Sequence, residues 1–186
     1  VSDFVDHIME LVDEEVRTHN YGPEDILVTF PILKSNVIAP ALEARLNEYF
    51  ASRDTSSDPK AHRRYAVLHK HQDGTAIKTS LSDNAVRIVS ILTAKGDGRK
   101  LVFVLQLTES AIGRMNPEKS QLVFDSYLHV PLTRAKIKTI FSLTPNHDEV
   151  HRRIGSGVPS VFLPSASTFW SLDKLQSMIS PSRLAD

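Results

Sequence analysis

A chain of 186 residues can bury one substantial apolar core, so one domain with small appendages is the expectation. Its 22 Lys and Arg residues balance 22 Asp and Glu, so no global basic field marks a nucleic-acid binder, and any such contact must come from a local patch. The absence of cysteine removes disulfides, thiolate metal sites and cysteine nucleophiles together, and no apolar run approaches the ~20 residues needed to cross a bilayer.

The chain opens on Val1, without Met or a signal-peptide pattern, and reads as a domain excised from a longer protein. Residues 3–17 read as a helix: Phe4, Ile8, Val12 and Val16 recur at helical spacing, acids fill the other face, and Ser2 is the expected N-cap. Gly22-Pro23 ends this unit. Ile26 to Phe30 is a short apolar run of the kind buried on both faces of a parallel sheet. After the loop Pro31 to Asn36, residues 38–50 read as a second helix through Ile38, Leu42, Leu46 and Phe50.

Residues 51–64, ending His62-Arg63-Arg64, read as an exposed loop. Tyr65 to His69 and Ala76 to Thr79, around the Asp73-Gly74 turn, read as a hairpin. Ser82-Asp83-Asn84 punctuates before two apolar β-type runs, Val86 to Leu92 and Leu101 to Leu105, joined by a Gly-containing loop bearing Lys95, Arg99 and Lys100. Asn116-Pro117 signals a helix running to about Arg134, kinked in its last turn by Pro131. Ile137 to Leu143 reads as a strand, 147–154 as a short helix, 155–164 as loop, and 167–179, with the only Trp at 170, as a terminal helix. Short apolar strands alternating with amphipathic helices predict an α/β fold with a parallel sheet.

Two segments carry the functional signal. One runs from Val86 through Thr93-Ala94-Lys95-Gly96-Asp97-Gly98 to Leu105. The other is His129-Val130-Pro131-Leu132-Thr133-Arg134-Ala135-Lys136. A loop of backbone N–H groups flanked by Lys and Arg suits phosphate, although solvated basic turns are common. Together, in this order, the segments resemble motifs V and VI of superfamily 1 helicases of the UvrD/Rep type. The Lys-Gly-Asp-Gly-Arg form looks most like helicases encoded by large DNA viruses. The strand, loop and helix at 26–50 occupy the place of motif IV, where Lys34 is the nearest basic residue to the customary arginine. Only residues 51–85 separate motifs IV and V, so the large accessory domain of UvrD-like enzymes is expected to be missing or reduced to that hairpin.

The resemblance implies a three-layer RecA-like domain of the P-loop NTPase type, with a mainly parallel sheet, that is the second of two motor halves. It makes Arg134 the candidate catalytic residue, an arginine finger stabilising charge on a departing γ-phosphate. In GTPases such a group is worth roughly 10³–10⁵ in rate. Arg134, Gly96 and Lys34 become candidates for ATP binding; Thr93, Lys95, Arg63 and Arg64 become candidates for nucleic-acid binding. The plainer alternatives are that Arg134 caps a helix C-terminus, that Lys95-Gly96 is a surface turn, and that Arg63-Arg64 is a solvated turn. The chain also departs from the family. Gly98 stands where a glutamate usually contacts the nucleotide, with Asp97 or Arg99 as candidate compensation. Leu92 stands for a histidine, His129 for a tyrosine and Pro131 for a small residue. Glu109 is at a position where relatives often carry an acid, and equally suits a helix cap.

No Gly-x-x-x-x-Gly-Lys-Ser/Thr loop occurs, nor an Asp-Glu pair after an apolar strand, so the triphosphate and Mg²⁺ sites are expected on an upstream domain. The eight histidines show no metal spacing beyond His69-x-His71, and no nucleophile elbow occurs. The expectation is the C-terminal half of an intracellular, ATP-dependent DNA helicase, working in the nucleus or at a viral replication site. Its partners would be single-stranded DNA and the first RecA-like domain of the same polypeptide. A degenerate helicase-like domain serving as a non-catalytic interaction module is the alternative.

Overall fold

In a computed structural model, residues 1–55, 63–69, 79–94, 98–107, 111, 114, 130, 131, 133–143 and 168–170 are described. Helix α1 spans Ser2–His19. It buries Val5, Ile8, Met9 and Val12 and ends on Asn20, whose φ of 54° gives the left-handed cap common at helix C-termini. Ser2 is not the N-cap. The helix begins one residue earlier, with the Val5 N–H donating to the Val1 carbonyl at 3.1 Å, and the Ser2 hydroxyl donates to Asp6 inside the first turn.

Strand β1, Ile26–Phe30, is buried at every position, as its unbroken apolar run requires. Helix α2, Ile38–Ala51, packs Ile38, Ala39, Leu42, Leu46 and Phe50 inward. Then come β2 (Ala66–Leu68), β3 (Val86–Ser90), β4 (Arg99–Val104), β5 (Ala135–Leu143) and β6 (Thr168–Trp170). The sheet order is β2-β3-β1-β4-β5-β6. The first five strands run parallel and β6 pairs antiparallel with the end of β5.

The α/β class and the parallel sheet are as expected. Helices α1 and α2 cover one face, where Val5, Ile8, Val12, Leu42 and Leu46 meet Ile26, Val28, Phe30, Leu101 and Phe103. The other face is buried too, with Leu27, Val89, Val102 and Val104 wholly inaccessible.

Three expectations need revision. Residues 66–68 form a strand, but it joins the main sheet as a parallel edge beside β3, because Ala66 and Val67 have an apolar sheet to bury against. The companion run 76–78 lies outside the described residues. The runs at 86–90 and 99–104 are not neighbours; β1 lies between them and pairs in parallel with both. The connection from β3 to β4 therefore passes from one side of β1 to the other. Residues 168–170 are a strand, not the start of a terminal helix: the β-type triplet Thr168-Phe169-Trp170 takes up the ladder left open by β5. The expected helices at 116–134 and 147–154 lie outside the described residues, save residues 130 and 131, which are helical, and 133 and 134, which form a turn.

Among the described residues no helix is long and apolar enough to cross a membrane.

Candidate functional site

Parallel strands give the sheet two chemically different rims. The chain leaves β1 toward β2 on one side and leaves β4 toward β5 on the other, so the carboxyl ends of β1 and β4 flank a topological switch point, where open α/β sheets place ligands. There the loop after β1 carries Lys34, exposed, and Ser35, held at φ 57°. Asn36 organises it. Its Oδ1 accepts the N–H groups of Ile38 and Ala39 at 2.9 and 3.0 Å, capping α2. Its Nδ2 donates to the Ile32 carbonyl and, at 2.8 Å, to Gln106 Oε1 beyond the end of β4. Gln106 also has positive φ, 55°. After β3, Ser90 Oγ lies 2.7 Å from Thr93 Oγ1, and the Thr93 N–H donates to the Ser90 carbonyl at 3.0 Å. Thr93 thus orders the start of the crossover, and its hydroxyl already has a partner.

Arg134 lies at the opposite rim, one residue before β5. Its carbonyl accepts the N–H of Arg99, the first residue of β4, at 3.0 Å. A Cβ placed on Gly98 would come within 3.7 Å of the same carbonyl. The Gly98 and Arg134 positions of the two segments are therefore side by side. The Arg134 side chain donates to Thr133 Oγ1 at 3.2 Å, and its buried Nε–H has no partner among the described residues.

Among the described residues the Arg134 guanidinium bonds no backbone carbonyl. The Val130 carbonyl is taken by the Thr133 hydroxyl at 3.0 Å, and the Pro131 carbonyl by the Arg134 backbone N–H at 3.1 Å.

Arg99 does not compensate for Gly98. Its guanidinium turns inward to the carbonyls of Ser82, Asp83 and Glu24, pinning the 79–82 turn and the Pro23–Asp25 turn to β4. Arg87, 3 % exposed, is likewise structural: it donates to Ser82 Oγ and pairs with Asp83 at 3.0 Å. His69 is buried with its Nε2 2.8 Å from Ser82 Oγ, a satisfied core histidine. No cluster of three or more metal-ligating side chains occurs among the described residues.

The sequence candidates thus divide. Lys34 and Thr93 share the carboxyl rim, whereas Arg134 sits at the amino rim. With five residues in β1, the rims are roughly 15 Å apart at ~3.3 Å per residue. Lys34 is therefore not brought to the Arg134 end to share an ATP phosphate chain. Arg63 and Arg64, exposed just ahead of β2, also lie at the amino rim, with Arg63 over the Tyr65 ring at 5.4 Å. They do not line up with Lys34 and Thr93 on one track. Lys95, Gly96, Asp97, Glu109 and His129 lie outside the described residues. Asn36 and Gln106 escaped the sequence reading; an Asn two residues before an apolar helix is a legible cap signal, but nothing local marks Gln106.

Comparison with protein-family models, with curated proteins and with solved structures finds no match for the chain.

Proposed function

We propose that this chain is the second, RecA-like motor half of a superfamily 1 DNA helicase, as the resemblance of its two segments implies. The observation that carries the proposal is the meeting of Gly98 and Arg134 at one rim. In the helicase reading these are the two positions that face the nucleotide, and they are 36 residues apart in sequence (134 − 98). An arginine whose Nε–H is buried without a partner among the described residues is poised for an anion supplied from outside. Its planar fork suits a phosphoryl oxygen better than a carbonyl cap requires.

In this reading the amino rim faces ATP held mainly by an upstream domain that also supplies Mg²⁺ ligands. The carboxyl rim, with Lys34 and the start of the 91–98 crossover, tracks single-stranded DNA. Closing and opening of the two halves then moves the strand. Lys34, placed first with the nucleotide, belongs in this picture to the nucleic-acid rim.

The chain alone should show no ATPase, because it lacks a phosphate-binding loop and metal ligands, and its parent gene should encode a Gly-x-x-x-x-Gly-Lys-Ser/Thr loop upstream. Turnover by the isolated chain that disappears with Arg134→Ala would refute the half-motor assignment. A parent without that loop would instead favour a non-catalytic interaction module.

A further inference from the structure

The cations near the amino rim are nearly all accounted for. Arg99 is held by backbone carbonyls. Lys100 pairs with Asp25 at 3.0 Å and lies over the Tyr21 ring. Lys138 reaches across to the buried Glu15 on α1. Lys136 is exposed and forms no hydrogen bond or ion pair among the described residues.

Its position is set by a break in the β4–β5 ladder. Arg99 pairs with Ala135 and Leu101 with Lys138, so Lys136 and Ile137 together oppose the single residue Lys100. Such a bulge re-aims side chains, and bulges recur beside active sites. Here it lays the Lys136 stem across Gly98: a Cβ at residue 98 would meet Lys136 Cε at 3.3 Å and Cγ at 4.0 Å. Arg134, two residues earlier, lies against the same glycine through its backbone carbonyl, 3.7 Å from such a Cβ.

We propose that Lys136 is a second phosphate-binding cation, placed beside Arg134 by the bulge, and that glycine at 98 is what lets it lie there. The inference rests on the half-motor reading and adds a residue to its nucleotide-facing rim. Where the family pattern has a carboxylate at position 98, this chain has bare backbone covered by a lysine stem. Arg134 and Lys136 are then the two cations whose chain segments lie against position 98, which itself contributes no acid, and this suits the anionic end of a nucleoside triphosphate. A lysine serves this purpose as a mobile point charge, whereas Arg134 has the fixed fork.

The test uses the full-length protein and its DNA-stimulated ATPase. Lys136→Gln should raise KM for ATP about fivefold to tenfold while kcat changes by no more than about twofold, the size of one partly exposed charge contact to phosphate. Lys136→Arg should restore KM, which a loss of packing would not allow. Gly98→Ala should raise KM in the same direction by crowding the lysine stem, and adding it to Lys136→Gln should raise KM no further. Melting temperatures should be unchanged for the Lys136 variants, since that side chain is exposed. If Arg134→Gln abolishes turnover while Lys136→Gln leaves KM untouched, Lys136 is no ligand and the half-motor reading survives. If the wild-type protein hydrolyses no ATP, or does so regardless of Arg134, both fall together.

Discussion

Asn36 Nδ2 donates to Gln106 Oε1 at 2.8 Å, and this bond joins the loop after β1 to the exit of β4 across the switch point. The same side chain caps α2 through Oδ1. Asn36→Ala should therefore lower stability by about 1–2 kcal/mol, the usual size of a lost N-cap. Asn36→Asp keeps the acceptor and loses only the donor to Gln106 and Ile32, so it should fall in between. Urea midpoints for the three proteins decide the matter, and equal midpoints for Asn36→Ala and wild type would remove the capping role.

Arg134→Lys separates a phosphate contact from a helix cap. In the full-length protein the fold and nucleotide binding should persist while kcat drops by roughly 100-fold or more, since arginine fingers supply about 10³–10⁵ and lysine lacks the planar fork. A helix dipole needs only a cation, so a capping residue would lose no more than a few-fold. DNA-stimulated ATPase, with melting temperature as the folding control, distinguishes the two. Near-normal turnover would mean that Arg134 does not reach the nucleotide.

Nucleic-acid binding by the chain should be weak and salt-dependent, because few cations among the described residues face the carboxyl rim. Lys34→Gln should reduce the slope of log K against log salt by about 0.7, the value for one phosphate contact on a single strand. Arg63→Gln, at the opposite rim, should leave the slope unchanged. Fluorescence anisotropy with an oligothymidylate measures both. The reverse pattern would move the strand to the amino rim.

Between α1 and α2 the Tyr49 hydroxyl donates to Asp13 Oδ1 at 2.9 Å, with Arg53 and Arg17 bonded to the same carboxylate and Arg53 over the Tyr49 ring. Burial, and then this hydrogen bond, raise the Tyr49 pKa from 10.0 to about 12. The bond to Tyr49 and the two arginines hold Asp13 below its ordinary value. A raised tyrosine pKa means that the folded state favours the neutral phenol. Its contribution is full below pH 10.0 and disappears as pH climbs through about 12. Tyr49→Phe should thus be less stable than wild type at pH 8, and the gap should close by pH 12. A gap that stays constant across thermal melts in this range would show that the phenol contributes packing alone.

Much of this architecture was legible because strands buried on both faces must be apolar throughout. Ile26–Phe30 announced itself in that way, and the spacing of Ile8, Val12, Leu42 and Leu46 announced the helices. What local pattern cannot encode is which strands lie side by side. Val86 to Leu92 and Leu101 to Leu105 read as two runs joined by a loop, and nothing in that pattern says that the core inserts β1 between them. The same blindness merged the two rims. Lys34 and Arg134 were grouped by the resemblance to motifs IV and VI, yet one follows its strand and the other precedes it, which in a parallel sheet puts them at opposite ends. The juxtaposition of Gly98 and Arg134 was implied only by resemblance, and the stem of Lys136 over Gly98 depends on a one-residue bulge that no composition or periodicity signals.

The three-residue β2 is the outer strand on its side of the described sheet, and its open flank is closed by a helix. Asn47 of α2 accepts from the Tyr65 and Ala66 N–H groups and donates to the Ala66 carbonyl, while Glu43 accepts from the Leu68 N–H. Two side chains thus stand in for the missing neighbouring strand, with an amide answering the backbone in its own donor–acceptor language. An outer strand so occupied offers little template for another polypeptide to add to. Losing that guard by Asn47→Leu would expose a short sticky border at the moment when the sheet is otherwise complete, and clumping of folded molecules, rather than unfolding, would be its first symptom.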